Sequence, residues 1–421
     1  MCMATLQRYE ILHLSLIDGV GPATVMRLEQ AAQRGLFAGN NGIYAARESD
    51  FVHIGLSPLI AKKLVQGLGD TVLLEQELAR IERHTILWAT LFEPTYPELL
   101  KHIHLPPPVL YWQGALAAQP ALTLAIVGSR NANWYGKQAI DLIVPPLVKQ
   151  GCLIVSGGAL GADSMAHAVT LYAGGQTIAV LGSGLLDPYP LSNKPLFTQI
   201  IENGGALVSP FPLTMHASAY SFPARNRIIA GMSSGCIVVQ AAAKSGALIT
   251  AQFALEQGRD VFAVPGPIED PVSAGCHALI QQGAKLVTCA EDIMGEYGGV
   301  LAPIGGARHE QEIQASLFES AAGLAVAQRK KLFSEKEQAN SCGFSRTAKA
   351  SSADLKSDFS DAGDLQTPQG QILHYCAHPQ SLDELAVMTG LSFTQLHELL
   401  FELQIQGCLE QNRGGLWQRI R

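Results

Sequence analysis

The sequence predicts an α/β protein whose main domain is Rossmann-like, with a mostly parallel sheet between two layers of helices. Short apolar runs rich in Val, Ile and Leu recur from about residue 121, as expected for strands that are buried on both faces. Amphipathic helical stretches separate these runs, and this alternation is typical of an open parallel sheet. The six runs are TLAIVG, CLIVSG, TIAVLG, ALVSPF, GCIVVQ and DVFAVPG.

Length and charge narrow the class of protein. A chain of 421 residues is long enough for roughly two to four domains. It carries 29 Lys and Arg against 36 Asp and Glu, a formal net charge of −7, which excludes a uniformly basic coat for nucleic acid. Any site for a phosphate-rich ligand must therefore be local.

The cysteines and the first residues of the chain allow a prediction of the cellular compartment. The 8 cysteines are scattered singly without a Cys-x-x-Cys pair, so we expect neither a metal site nor a disulfide framework. The start, MCMATLQRYEI, lacks the basic and apolar segments of an export signal, and no apolar run reaches about 18 residues. We therefore expect a soluble, cytoplasmic protein without membrane contact.

Residues 1–90 are expected to form a small helical domain. Two similar turns, DGVGP (18–22) and IGLSP (54–58), each precede a helix-like run. The Gly-x-Gly-Pro turn resembles a helix-hairpin-helix (SAM-like) unit, in which glycine amides at a helix start can meet a DNA phosphate. The segment holds 8 Lys and Arg against 9 Asp and Glu, and this balance favours a helical connector.

Three further segments follow the helical one. Residues 91–298 hold the strand-and-helix alternation and are expected to form an extended Rossmann-like domain. Residues 299–365 shift to Ala, Ser, Gln and mixed charge, a composition that cannot bury a core and is typical of a flexible linker. Residues 366–421 become periodic again, and three helical patterns with a hairpin at Gly414-Gly415 predict a winged helix.

The charge of the predicted winged helix bears on its use. Residues 366–421 carry 3 Arg and no Lys against 5 acids, and the recognition helix expected over 394–406 has no cation. DNA-reading helices need cations for the phosphate backbone. We therefore expect this unit to contact protein.

A phosphate-binding track is predicted at one edge of the sheet. Ligands of open parallel sheets collect at the carboxyl ends of the strands, where main-chain N–H groups and helix starts suit phosphate. One glycine-rich turn is weak evidence, because such turns often only connect a strand to a helix. Here four of them coincide with cations: residues 128–130, 156–163, 182–184 and 244–246, with Arg130, Arg225, Arg227 and Lys244.

Common nucleotide cofactors do not fit the pattern. Neither AIVGSRNANWYG nor SGGALGADSMAH spells Gly-x-Gly-x-x-Gly, and no acid follows where a ribose would be held. The sequence also lacks a Walker loop, Gly-x-x-x-x-Gly-Lys-Ser/Thr. We therefore expect no NAD, FAD or other cofactor, and no ATP hydrolysis by that route.

An ordered series of motifs resembles the DNA-processing protein A family (DprA/Smf). The resemblance covers nearly the whole chain except the linker. It rests on YPELLKHIHLPPPVLYWQG (96–114), IVGSR (126–130), SGGALGADSMAH (156–167), TIAVLGSGLLDPYP (177–190), FPARNRIIAG (222–231), SGALITAQFALEQGRDVFAVPG (245–266) and LIQQGAKLV (279–287).

The resemblance implies a role that is not enzymatic. Members of the family bind single-stranded DNA that enters during natural transformation, protect it, and help to load the RecA recombinase. The implied fold is a helical N-terminal domain, an extended Rossmann domain that forms a homodimer, and often a terminal winged helix. The implied partners are therefore single-stranded DNA, RecA and a second copy of the chain.

The resemblance also implies the residues of the site. Arg130 and the Arg225-Asn226-Arg227 triplet would contact phosphates beside Lys244, and Phe222 would offer a face for a base, which suits sequence-independent binding. Leu279, Ile280 and Leu286 resemble the self-association edge. The full set for nucleic acid is Gly128, Ser129, Arg130, Gly157, Gly158, Phe222, Arg225, Asn226, Arg227, Lys244, Ser245 and Gly246.

Several of these residues also have a purely structural interpretation. Phe222 could belong to the core, and Arg227 could brace the sheet by pairing with an acid. Asp163 is expected to cap a helix and to take no part in catalysis. His167, four residues later, is weak evidence for a metal or a catalytic dyad without a third ligand or a nucleophile.

The chain departs from the family pattern at three positions. Gln240 and Pro210 stand where acids are common, and His277 stands where asparagine is common. The loss of two acids near the phosphate rim makes the site less repulsive to DNA.

A rival hypothesis is an enzyme, a nucleotide phosphoribohydrolase related to the lysine decarboxylase-like proteins. Those proteins share a glycine-rich phosphate rim and carry Pro-Gly-Gly-x-Gly-Thr with a following glutamate. This chain has AKSGA (243–247) there, with no acid until Glu256. A third hypothesis, a transcription regulator led by the winged helix, predicts preference for a specific duplex.

Overall fold

The computed structural model describes most of the chain outside 299–366. The described residues are 5–37, 42–116, 122–298, 367–378, 380, 382–391, 395–396, 399–400, 403–404, 408–411 and 417–419. The predicted linker, 299–365, therefore lies outside the described residues.

Five helices fill the N-terminal segment. They are α1 (Arg8–Leu16), α2 (Pro22–Gln33), α3 (Glu48–His53), α4 (Pro58–Gly69) and α5 (Val72–Arg83), with a 3₁₀ turn at Gly42–Ala45. Both predicted turns precede a helix that starts with proline, where the missing N–H costs nothing. The two turns are also tied to each other. Arg27 Nη1 donates to the Gly55 carbonyl at 2.7 Å, and Lys63 Nζ lies 3.2 Å from Asp18 Oδ2.

A sheet of 9 strands forms the centre of the fold, in the order β1-β2-β6-β5-β4-β3-β7-β8-β9. The pairs from β6 to β9 are parallel, whereas β1 pairs with β2 and β2 with β6 in antiparallel fashion. The strands are β1 (Leu87–Thr90), β2 (Val109–Gly114), β3 (Leu122–Val127), β4 (Cys152–Ser156), β5 (Thr177–Val180), β6 (Ala206–Ser209), β7 (Gly235–Val238), β8 (Asp260–Ala263) and β9 (Lys285–Leu286).

Helices cover both faces of this sheet. The helices are α6 (Glu98–Lys101), α7 (Trp134–Lys149), α8 (Ala162–Tyr172), α9 (Lys194–Glu202), α10 (Ser221–Gly231), α11 (Gly246–Glu256), α12 (Ala274–Gln281) and α13 (Ala290–Met294), with 3₁₀ turns at Leu191–Asn193, Pro271–Ser273 and Gly295–Tyr297. One face of the sheet packs against α7, α8 and α13, and the other against α6, α10, α11 and α12.

The N-terminal helices share a core with the sheet. Leu12, Phe51 and Leu64 belong to the same buried cluster as Tyr111 of β2 and Leu207 of β6. This cluster covers the part of the sheet that α7 and α8 leave open. The helical segment therefore packs directly against β1 and β2, while α9 packs against β5 and β6 within the same cluster.

The predicted fold class is confirmed in its main part. Each of the six apolar runs contains one strand, from β3 to β8, and the parallel arrangement is as expected. The sequence interpretation missed the two antiparallel strands. As a result the sheet begins at Leu87, inside the segment 1–90 that was expected to be wholly helical.

The described C-terminal residues contain two helices and a small sheet. They are α14 (Pro368–Tyr375), α15 (Leu382–Thr389), and the antiparallel strands β10 (Leu409–Gln411) and β11 (Trp417–Arg419). Gly414-Gly415 and much of the third predicted helix lie outside the described residues. The winged helix therefore stays a prediction. Among all the described helices, none has the length and apolar character needed to cross a membrane.

Candidate nucleic-acid interface

The four glycine-rich turns open at one edge of the sheet. They follow β5, β4, β3 and β7, which are consecutive neighbours in the strand order. Hydrogen bonds join the turns to one another. The Ser129 N–H donates to the Gln240 carbonyl at 2.6 Å, and the Ala162 N–H donates to the Ser129 carbonyl at 3.1 Å. The turn after β3 is therefore bonded to its neighbours on both sides, the turn after β4 and the chain that leaves β7.

Gly161 allows the closest approach between two of these turns. Its φ is +76°, a conformation that favours glycine, and a Cβ there would collide with the carbonyl oxygens of Ser129 and Arg130. Any larger residue would push the turn after β4 away from the turn after β3. The position of Arg130 therefore depends on Gly161.

Arg225 is a buried brace beneath the rim. The residue is 4% exposed, and its Nη1 donates to the carbonyls of Gly157 and Val180. Burial lowers the pKa of the guanidinium to about 10, while nearby Asp163 opposes this shift. The same side chain lines the cleft described below, so only the part of the guanidinium outside these bonds is free to meet a ligand.

Asp163 and His167 have structural partners. Asp163 lies in the first turn of α8 and accepts a hydrogen bond from the Ala159 N–H at 3.3 Å; burial raises the pKa of its carboxyl, and Arg225 opposes that. His167 is fully buried and contacts Thr177 Oγ1 through Nδ1 at 2.7 Å. Burial lowers the pKa of His167 to about 3, so the ring is neutral.

Arg227 points away from Arg225, since residues two apart on a helix do not face each other. Its Nη1 donates to the carbonyls of His104 at 3.1 Å and Leu105 at 2.6 Å. Arg227 therefore braces the 102–108 segment through carbonyls, where the sequence suggested an acid. It does not line the cleft that contains Arg130 and Arg225.

Arg130 and two aromatic rings form a cleft at the rim. Arg130 is exposed, and its guanidinium carbon lies 4.9 Å from the centroid of the Phe222 ring. The ring of Tyr189 lies 5.7 Å from Phe222, tilted by 51°. The residues that line the cleft are Arg130, Gly157, Ala159, Leu160, Gly182, Tyr189, Pro190, Phe222 and Arg225.

Lys244 lies at the far end of the rim, in the exposed turn that precedes α11. Ser245 caps this helix by accepting from the Ala247 N–H at 3.3 Å, and Asn226 Nδ2 donates to the Gly246 carbonyl at 3.3 Å. The part of the chain that the structure describes offers Lys244 no hydrogen bond or ion pair. Its charge is therefore available to a ligand.

Gln240 organises the start of α7. Its Oε1 accepts from the Asn133 N–H at 3.0 Å, and its Nε2 donates to Asn133 Oδ1 at 2.9 Å. Asn133 Oδ1 also accepts from the Tyr135 and Gly136 N–H groups. A glutamate at position 240 could not donate to that oxygen, so the amide fits this chain. His277 Nε2 lies 2.9 Å from the Gly266 carbonyl.

The predicted self-association residues differ in exposure. Leu279 is 8% exposed and belongs to the core, and Ile280 is half-buried. Leu286 is 46% exposed on β9, the outermost strand of the sheet. Of these three residues, only Leu286 presents a large apolar surface to solvent.

The fold and the rim define an α/β protein with a glycine-rich edge that holds exposed cations beside aromatic rings. Residues 88–298 match the sequence model of the DNA recombination-mediator protein A family. Protein Smf of Synechocystis sp. is 32% identical over 424 aligned residues, which cover 99% of this chain and 100% of that protein. The chain belongs to this family.

Two further comparisons agree with the assignment. Protein Smf of Escherichia coli (strain K12) is 50% identical over 188 residues, 45% of this chain and 50% of that protein, so the match spans half of the relative. The X-ray structure of DNA processing protein A from Streptococcus pneumoniae aligns with a TM-score of 0.60 and 33% identity. It covers 69% of this chain and 98% of that one.

Proposed function

We propose that this protein binds single-stranded DNA along the rim, protects incoming DNA during natural transformation and helps to load the RecA recombinase. One observation supports it most strongly: Arg130 and Lys244 are exposed on an edge of main-chain turns that also carries an aromatic cleft. Attraction of phosphates and stacking of bases are the two interactions that stabilise sequence-independent binding of a single strand.

The charge distribution fits a local site of this kind. The chain has a net charge of −7, so distant parts of the surface repel a polyanion and the rim must supply the attraction. Arg225 and Arg227 satisfy backbone carbonyls, which leaves Arg130 and Lys244 as the rim cations with no hydrogen bond or ion pair among the described residues. A weak, salt-dependent contact that lets a strand be handed to another protein is consistent with two exposed cations.

The proposed test of function compares three ligands. We expect a fluorescent oligothymidine to bind in a salt-dependent manner, and an unlabelled single strand to compete better than duplex DNA of the same length. Preference for the duplex would contradict the proposal and favour a transcription regulator. Release of free base from nucleoside monophosphates would favour the phosphoribohydrolase.

The homodimer and the protein-binding winged helix belong to the same proposal. Leu286 on the outermost strand β9 supports a dimer at that edge, because an exposed edge strand with an apolar side chain favours association. Leu286→Arg is expected to give a monomer in sedimentation at a concentration where the wild type is a dimer. Leu279→Arg would instead test folding, because Leu279 is buried.

RecA loading is tested by displacement of single-strand-binding protein from an oligonucleotide in the presence of RecA.

A further inference from the structure

We propose that Tyr189 is the principal base-stacking residue of the cleft, and that it offers a nucleobase a more accessible ring than Phe222 does. The inference rests on the proposed function, because it assigns a part of the ligand to one wall of the same cleft. It names the nucleobase as the group recognised there, in addition to the phosphate.

Neighbours already occupy much of the Phe222 ring. The guanidinium carbon of Arg130 lies 4.9 Å from its centroid, a cation–π contact. Gly182 packs against another part of the ring, since a Cβ on Gly182 would lie 2.8 Å from Phe222 Cδ1. Phe222 itself is half-buried. A base that stacked on the face of Phe222 that Arg130 covers would have to displace Arg130 from the ring.

Tyr189 has the open surface that Phe222 lacks. The residue is 48% exposed and lines the same cleft as Arg130. Its ring is tilted by 51° against Phe222 at a centroid separation of 5.7 Å, so the two rings form adjoining walls and do not stack face to face. The described residues provide no hydrogen-bond partner for its hydroxyl. A base can therefore reach Tyr189 without a rearrangement of the cleft.

The loop that carries Tyr189 is fixed at both ends. Asn193 is buried and donates through Nδ2 to the carbonyls of Gly158 at 2.9 Å and Ala159 at 3.2 Å. The Leu186 N–H donates to the Leu213 carbonyl at 2.9 Å. Such anchoring reduces the entropy lost when a ligand binds. The position of the aromatic wall is therefore set before DNA arrives.

Arg130 and Tyr189 would bind different parts of the DNA strand. Arg130 is a cation at the mouth of the cleft and suits a phosphate, whereas Tyr189 offers a π-face that any base can use. The chemical distinction between backbone and base gives a direct test. A chain of abasic sugar-phosphates keeps the charges of DNA and removes the stacking partner.

The experiment measures binding of oligothymidine and of an abasic oligonucleotide of equal length at one salt concentration. Tyr189→Ala is expected to weaken oligothymidine binding by between about 5-fold and 150-fold, the range for loss of one stacked base. Its affinity for the abasic strand should stay within about 2-fold of the wild type. Tyr189→Phe should bind both strands like the wild type, and Tyr172→Ala is the matched control, since that ring is 94% exposed on α8 outside the cleft.

A second measurement, by fluorescence, keeps an aromatic side chain at position 189. In Tyr189→Trp the indole keeps the stacking surface, and its fluorescence, taken as the difference from wild type, should be quenched by oligothymidine but not by the abasic strand. Unchanged oligothymidine binding by Tyr189→Ala together with no quenching would overturn the inference and leave the proposed function standing. An equal loss for both strands would also overturn it, because the residue would then act on the shape of the site. Failure of the wild type to bind oligothymidine would refute both.

Discussion

The salt dependence of DNA binding tests the assignment of the two exposed cations. The perturbation is Arg130→Ala or Lys244→Ala, each of which removes one charge that the structure leaves without an ion pair among the described residues. Lys137→Ala is the matched control, because Lys137 lies in the same domain but is bonded to Asp141 at 2.5 Å. All three changes remove one positive charge from an exposed lysine or arginine.

The magnitude follows from the number of phosphates that the rim can neutralise. For single strands the slope of log K against log salt is about −0.7 for each phosphate contacted. Each rim variant should therefore reduce the steepness by about 0.7, and the double variant by about 1.4. Over a tenfold range of salt, the loss of one contact changes the relative affinity by about 5-fold.

The assay is fluorescence anisotropy of a labelled oligothymidine, titrated at several salt concentrations for the wild type and each variant. The Lys137→Ala slope should equal that of the wild type. The reasoning would be refuted if the rim variants kept the wild-type slope, or if the control lost as much as they did. In either case the DNA would have to lie elsewhere on the protein.

Three further predictions concern the scaffold of the site. Arg225→Ala should lower the free energy of unfolding, since it leaves the buried carbonyls of Gly157 and Val180 without their donor, at a cost of about 1–3 kcal/mol for each unsatisfied group. Gly161→Ala should cost more stability than Gly174→Ala. Both glycines have a φ of +76°, which strains a larger residue by about 1–3 kcal/mol, but of the two only Gly161 would bring a Cβ against neighbouring carbonyls. His167 has its pKa lowered from 6.5 to about 3 by burial, so the unfolded chain takes up its proton first as the pH falls. Stability should therefore decrease below pH 6.5 by up to about 1.4 kcal/mol per pH unit, and His167→Gln should flatten this slope.

Urea unfolding measures all three, and each has an outcome that counts against it. Full stability of Arg225→Ala together with lost DNA binding would make that arginine a direct ligand. Equal losses of stability in the two glycine variants would mean that the close approach of the two turns at Gly161 does not contribute to the free energy of unfolding. A pH slope that is unchanged in the histidine variant would place the titrating group elsewhere.

The six central strands could be predicted because each is buried on both faces and therefore appears as an uninterrupted apolar run. Strands β1 and β2 were missed because they precede the alternation of strands and helices, although β2 itself contains a buried apolar run, VLYW (109–112). Leu87 in β1 is exposed, and β2 finds its partner β6 about a hundred residues away in the chain. Short antiparallel strands whose pairing is non-local are decided by tertiary packing, which local patterns do not record.

The sequence predicted that the glycine-rich turns meet at one edge of the sheet, and they do; it did not predict what the individual side chains contact. Glycines after apolar runs placed the rim, because the carboxyl ends of parallel strands meet at one edge. The Arg225-Asn226-Arg227 triplet, however, is one motif in sequence and three different environments on a helix. The partner of Gln240 is Asn133, which lies 107 residues away. Tyr189 lies between two prolines outside any apolar or basic pattern, and only the fold brings it beside Phe222.

The shared core of the N-terminal helices and the sheet has a consequence for how this protein can be divided. A cut near residue 90 would leave β1 with the helices and would uncover Tyr111 of β2, which is fully buried in the intact chain. Uncovered apolar faces of this kind promote aggregation. The helical segment is thus an obligate part of the folding unit, and recombination between relatives should exchange it together with the sheet surface that it covers.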